Sequence, residues 1–122
     1  MSLNPFPVRS TEPESWTHEV RILGTGAANP TKVFGAGMTI TRTGSGAYLI
    51  TWGDAPGAFV DYGAGFQATT VADLRGFTVV VGVYSASAKT LAFTVYDSTF
   101  AAADLAANQW LSLRLVFKTT AV

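Results

Sequence analysis

The sequence predicts an all-β fold: an antiparallel two-sheet β-sandwich, jelly-roll-like, preceded by an extended Pro-rich N-terminal arm. Three observations predict it. Short runs of β-branched and aromatic residues alternate with polar ones at period 2. Glycine-rich turns separate these runs, and two pairs of runs flank turns short enough for hairpins. Seven or eight such strands in 122 residues fit one domain of two packed layers. A jelly roll folds about eight strands into two sheets, and an immunoglobulin-like sandwich is the alternative topology.

Residues 1–15 form the arm and residues 16–122 the sandwich domain. Pro5, Pro7 and Pro13 fix φ and remove backbone donors, which excludes helix and discourages sheet. Leu3, Phe6 and Val8 are set around these prolines as apolar anchors for a neighbouring subunit, with a frayed terminus as the alternative. In the first strand Trp16, His18, Val20 and Ile22 share a face, alternating with Thr17, Glu19 and Arg21. Gly24 to Pro30 reads as a loop, and a short strand follows around Val33 and Phe34. The best local signal is Met38–Arg42 and Ala47–Trp52 across Thr43-Gly44-Ser45-Gly46, a hairpin.

Gly53 to Gly57 carries turn chemistry, and Phe59, Val60 and Tyr62 begin a strand before Gly63 and Gly65, with Phe66-Gln67-Ala68-Thr69 as its candidate continuation. Gly76–Tyr84 reads as a long buried strand and pairs with Thr90–Tyr96 in a second hairpin. Thr99–Asn108 has high helix propensity and is placed as a helical turn. The last strand, Trp110–Lys118, puts Leu111, Leu113, Leu115 and Phe117 on one face and Ser112, Arg114 and Lys118 on the other.

Composition narrows the function. Eight basic and eight acidic residues cancel, so no net field draws the chain to nucleic acid or an anionic membrane. The start of the chain lacks a signal-peptide pattern, and the longest apolar run falls far short of a bilayer span. Charged residues are 13% of the chain against about 25% in an average soluble domain, while hydrophobic residues reach 48%. A surface so poor in charge is expected to be covered in part by other subunits, with a monomer of neutral Gly/Ala/Thr-rich surface as the alternative. Tyr48 and Trp52 share a face with Ile50, and Tyr84 shares one with Val80. With Trp16 and His18 they are the expected contact residues beyond the arm.

Catalytic equipment is not expected. His18 is the only histidine and lies mid-strand, where a packed or interface histidine is the ordinary outcome. The aspartates are scattered singly at strand ends as turn and cap residues, with no Asp-x-Asp cluster for calcium. There is no cysteine, hence no disulfide and no thiolate metal site. Gly24-x-Gly26 and Gly44-x-Gly46 do not continue into a phosphate-binding loop. No cofactor is expected.

Three segments carry a resemblance. Ile40-Thr41-Arg42-Thr43-Gly44-Ser45-Gly46-Ala47-Tyr48-Leu49-Ile50-Thr51-Trp52 resembles the hairpin of small tailed-bacteriophage structural proteins. Gly76-Phe77-Thr78-Val79-Val80-Val81 is similar to a later segment of theirs, as is Thr94-Val95-Tyr96-Asp97-Ser98 running through Ala102–Ala107 to Trp110-Leu111. The resemblance covers roughly residues 38–118 and consists of turn and strand signatures without a reactive group. It implies a capsid decoration (cement) protein on the virion exterior, assembled in the host cytoplasm. It implies a homotrimer that binds the major capsid protein. The Pro-rich arm matches no part of that pattern. The rival expectation is a tail-fibre or spike tip that binds a host receptor or glycan through exposed Trp and Tyr.

Overall fold

A computed structural model describes residues 15–70 and 74–118. The strands are β1 (Ser15–Leu23), β2 (Thr31–Phe34), β3 (Met38–Gly44), β4 (Ala47–Trp52), β5 (Ala58–Ala68), β6 (Thr78–Ser85), β7 (Thr90–Tyr96) and β8 (Gln109–Lys118). They form two four-stranded antiparallel sheets, β2-β1-β8-β5 (sheet 1) and β3-β4-β7-β6 (sheet 2). The chain is an all-β sandwich.

Topology follows from two nested ladders. β1 pairs with β8 along its whole length, from Ser15 opposite Lys118 to Leu23 opposite Trp110. Inside that pair in sequence, β4 pairs with β7 in the other sheet. This nesting is jelly-roll-like winding. In an immunoglobulin-type sandwich the first and last strands lie in different sheets; here they are partners. Ser15, counted with the arm on sequence grounds, belongs to β1. The arm anchors Leu3, Phe6 and Val8 lie outside the described residues.

The core sits between the sheets and follows the period-2 pattern. Val20 and Ile22 of β1 meet Leu111, Leu113, Leu115 and Phe117 of β8. Sheet 2 contributes Ile40, Tyr48, Ile50, Leu91, Phe93 and Val95 from above. Burying a side chain of this size stabilises the fold by about 1.5–3 kcal/mol relative to exposure.

Two local expectations are corrected, for β6 and for Thr99–Asn108. β5 is one strand through Gly63 and Gly65, neither with a positive φ, and Phe66–Ala68 continue it. It is an edge strand, so two missing side chains interrupt neither the ladder to β8 nor the core. β6 is not a buried strand: only Val79 is fully buried, because β6 has one neighbour and an irregular register near Gly82. Thr99–Asn108 contains no helical turn. Its backbone groups find tertiary partners instead: Ala103 N–H donates to Val95 O (3.0 Å) and Leu105 N–H to the Tyr48 hydroxyl (3.1 Å). Tertiary pairing outweighs helix propensity in so short a segment.

Candidate interaction surfaces

Trp16, His18, Trp52 and Tyr84 gather at one end of the sandwich, while Tyr48 lies toward the other, its hydroxyl accepting from Leu105 N–H. Four rings surround Phe117, which is fully buried: His18 at 5.5 Å between centroids, Trp52 at 5.5 Å, Phe59 at 5.6 Å and Tyr84 at 5.5 Å. Most of these contacts are edge-on, the arrangement that the ring quadrupole favours. Trp16 leans on His18 from outside and remains 41% exposed. Trp52 Nε1–H points at His18 Nδ1 at 3.4 Å, a long bond that requires the neutral imidazole. Burial lowers the His18 pKa below its ordinary value. His18 is thus a packed histidine.

For three residues the sequence placement is overturned. Tyr48 (2% exposed) and Trp52 (4%) are core residues and not outer-face contacts. Their face of β4 is the inward one, with Ile50 between them. Tyr48 stacks on Phe93 at 5.3 Å, and burial raises its pKa. Tyr84 is half-buried against the same core, and its hydroxyl donates to Gly57 O at 2.6 Å. Among the described ones of the expected residues, only Trp16 counts as exposed.

At the opposite end a polar lock replaces rings. The Asp104 carboxylate accepts two hydrogen bonds from Arg42, at 2.8 and 2.9 Å, and a third from Gly46 N–H at 2.8 Å. The Arg42 hydrogen bonds hold the Asp104 carboxyl below the usual carboxylate range. Gly46 sits at φ +67° in the β3–β4 turn, and a Cβ there would lie 2.5 Å from Ala103 N. Glycine lets Ala102 and Ala103 lie against that turn.

The two outer faces differ. On sheet 2, Thr39, Thr51 and Thr90 form one cross-strand row. Thr41, Leu49 and Ala92 form the next, and Ala47, Thr94 and Val80 a third. None of these residues carries a charge, and all but Leu49 and Val80 are small. On sheet 1 the outer face is polar. Arg21 donates to Ser112 Oγ at 2.9 Å and to Gln67 Oε1, and its guanidinium lies 5.8 Å from the Trp110 ring centroid. Arg114 and Glu19 form an exposed pair at 3.8 Å. Between these side chains runs a groove of about 420 Å³, flanked by Phe34 and floored by Gly63 and Gly65.

One exposed feature escaped the sequence reading. Phe100 is 82% exposed at the tip of the β7–β8 connection and has φ +64°. Asp97 builds the tip. Its Oδ1 accepts from Thr99 N–H (2.8 Å), Thr99 Oγ1–H (2.7 Å) and Ala101 N–H (3.1 Å). Phe100 N–H donates to Asp97 O at 3.0 Å, and Asp97 N–H to Ala101 O at 2.8 Å. The Asp-x-Thr spacing is a readable turn signal, though nothing in it marks the ring as outward. The hydrogen bonds, the Thr99 hydroxyl foremost, lower the Asp97 pKa.

Among the described residues no group of three His, Asp or Glu side chains stands close enough to hold a metal ion. No helix there is long and apolar enough to cross a membrane. No protein-family model, curated protein or solved structure matches this chain. What the molecule offers is a β-sandwich with three chemically distinct outer surfaces and an aromatic end.

Proposed function

We propose that this chain is a non-enzymatic structural protein of a tailed-phage virion, a decoration protein that caps the outer shell as a homotrimer and stabilises contacts between capsomers. The observation that carries the self-assembling part of this reading is the outer face of sheet 2, three cross-strand rows without a charge. Water-facing sheets normally alternate apolar-in with charged or strongly polar residues out. A neutral face of small side chains suits close packing against another protein surface and needs no charge pairing there. The virion setting is supported by the resemblance of residues 38–118 to small phage structural proteins.

The mechanism is cumulative. Each subunit contact contributes roughly 25 cal/mol per Å² of apolar area removed from water, and three linked copies bind with high effective concentration. Such a clamp raises the work needed to separate capsomers under internal DNA pressure. The major capsid protein is the partner it fits.

Native mass by light scattering over a hundredfold concentration range tests the self-assembly, with a concentration-independent trimer expected and a monomer throughout counting against it. Sedimentation with undecorated capsids of the phage that encodes the chain tests the site of action. There, removal of residues 1–14, which stops short of Ser15 in β1, is expected to leave folding intact and weaken attachment. A fibre-tip reading draws on Arg21 beside Trp110, a pairing also suited to a sugar ring. Glycan-array binding abolished by Trp110→Ala would favour it.

A further inference from the structure

Two features of the surface are maintained against local preference. Gly63 and Gly65 stand two apart on the outer face of β5, where glycine costs a strand roughly 0.5–1 kcal/mol relative to alanine. Neither has a positive φ, and a Cβ at either position would meet nothing within 4 Å. Folding therefore does not require glycine there. Glycines of this kind mark places where another group approaches the strand closely. Phe100 is the converse: a ring held almost fully in solvent, on backbone that L-residues avoid, by an Asp97 turn that fixes its direction.

The two features are complementary in shape and charge. One is a fixed aromatic knob, the other a groove with a glycine floor. The groove carries Arg21 and Arg114 against a single acid, Glu19, and is positive by one charge. The knob stands on an ionised Asp97. An aromatic ring entering the groove would also lie within reach of guanidinium groups, which favour ring faces. A rigid exposed aromatic that enters a pocket is the usual anchor of a protein interface.

We infer that Phe100 of one copy docks in the Gly63–Gly65 groove of the next, a head-to-tail junction that builds the oligomer. The inference rests on the self-assembly reading above and adds to the neutral face of sheet 2 a second contact, made through sheet 1. Because knob and groove are different surfaces of one chain, the junction is heterologous and leaves each bound copy with a free knob or a free groove. Such junctions close into a ring when the rotation between copies divides a full turn. Three copies close at a third of a turn each.

The test uses native mass across concentration for the full chain and three variants. Phe100→Gly removes the ring while suiting the φ of that position, so it does not weaken the monomer. Gly65→Val fills the groove where a side chain has space and raises strand propensity. Each is expected to raise the concentration of half-dissociation by about thirtyfold or more, with the melting temperature of the monomer unchanged or higher. Val83→Ala, at another exposed apolar position, is expected to leave the mass unchanged. Wild-type dissociation in either of the first two variants overturns the junction and leaves a self-assembling protein standing. Loss of assembly in Gly65→Val alone shows that a different segment fills the groove, which also overturns it. A wild-type chain that is monomeric at every concentration overturns both the junction and the reading beneath it.

Discussion

At the end of the sandwich where β1 begins, four rings pack around Phe117; at the end where β1 finishes, one carboxylate gathers three hydrogen bonds. Both ends do the same job, which is to join sheet 1 and the long connections to sheet 2. The ring cluster does it through area and dispersion, which depend weakly on angle and are not screened by salt. The lock does it through charge-assisted bonds, which depend on geometry and on the ionisation of one group. One fold can therefore be stable at both ends and yet respond differently at each to mutation and to acid.

The largest expected effect is at the ring end. Phe117→Ala removes the ring that all four neighbours touch and leaves a cavity in a fully buried site. Urea unfolding is expected to show a loss of about 3–5 kcal/mol; a loss under 2 would mean that the cluster collapses onto the gap and that the two ends are less different than they look. Asp104→Ala comes next. It leaves the Arg42 guanidinium and Gly46 N–H without their partner, and the expected loss is about 2–3 kcal/mol. An Asp104→Ala protein as stable as the parent would break the comparison from the other side.

Acid separates the two ends without mutation. His18 has a lowered pKa in the fold, so its contribution is complete above its ordinary value of 6.5 and is lost as pH falls through the lower folded value. Asp104 is also lowered. Its contribution is complete above the ordinary 3.8 and is lost only as pH falls below that. Melting temperature is therefore expected to decline gently below pH 6.5 and to fall again below about 4. His18→Gln should remove the first decline, and Asp104→Ala should reduce the second, leaving the share that belongs to Asp97. This is the smallest of the three effects, and a first limb unchanged in His18→Gln would separate the histidine from it.

How much of this could be read from the chain depended on contrast between the two faces of each strand. In β8 the faces differ sharply, Leu111, Leu113, Leu115 and Phe117 against Ser112, Arg114 and Lys118, so its inward side was legible. In β4 they do not: Tyr48, Ile50 and Trp52 alternate with Ala47, Leu49 and Thr51, all uncharged. The larger residues went inward and the smaller ones outward, the reverse of the assignment that made Tyr48 and Trp52 contact residues. His18, Trp52 and Tyr84 were legible as notable side chains, but not their convergence on Phe117, because that depends on which strands meet across the sandwich. The role of Gly63 and Gly65 as a floor was not legible, since a glycine's meaning in a strand comes from its neighbours across the sheet. Phe100 gave no sign of its exposure, which only the Asp97 turn decides.

The pairing of β1 with β8 has a mechanical meaning. Ser15 lies opposite Lys118, so the two outermost residues of the ladder emerge side by side at one end. Antiparallel hydrogen bonds run perpendicular to the strands, and a tension drawing Ser15 away from Lys118 acts along them. It loads the terminal pair alone and opens the ladder rung by rung, as a zipper, rather than straining all rungs at once. A sandwich wound this way tolerates load across its faces far better than load applied through its two ends.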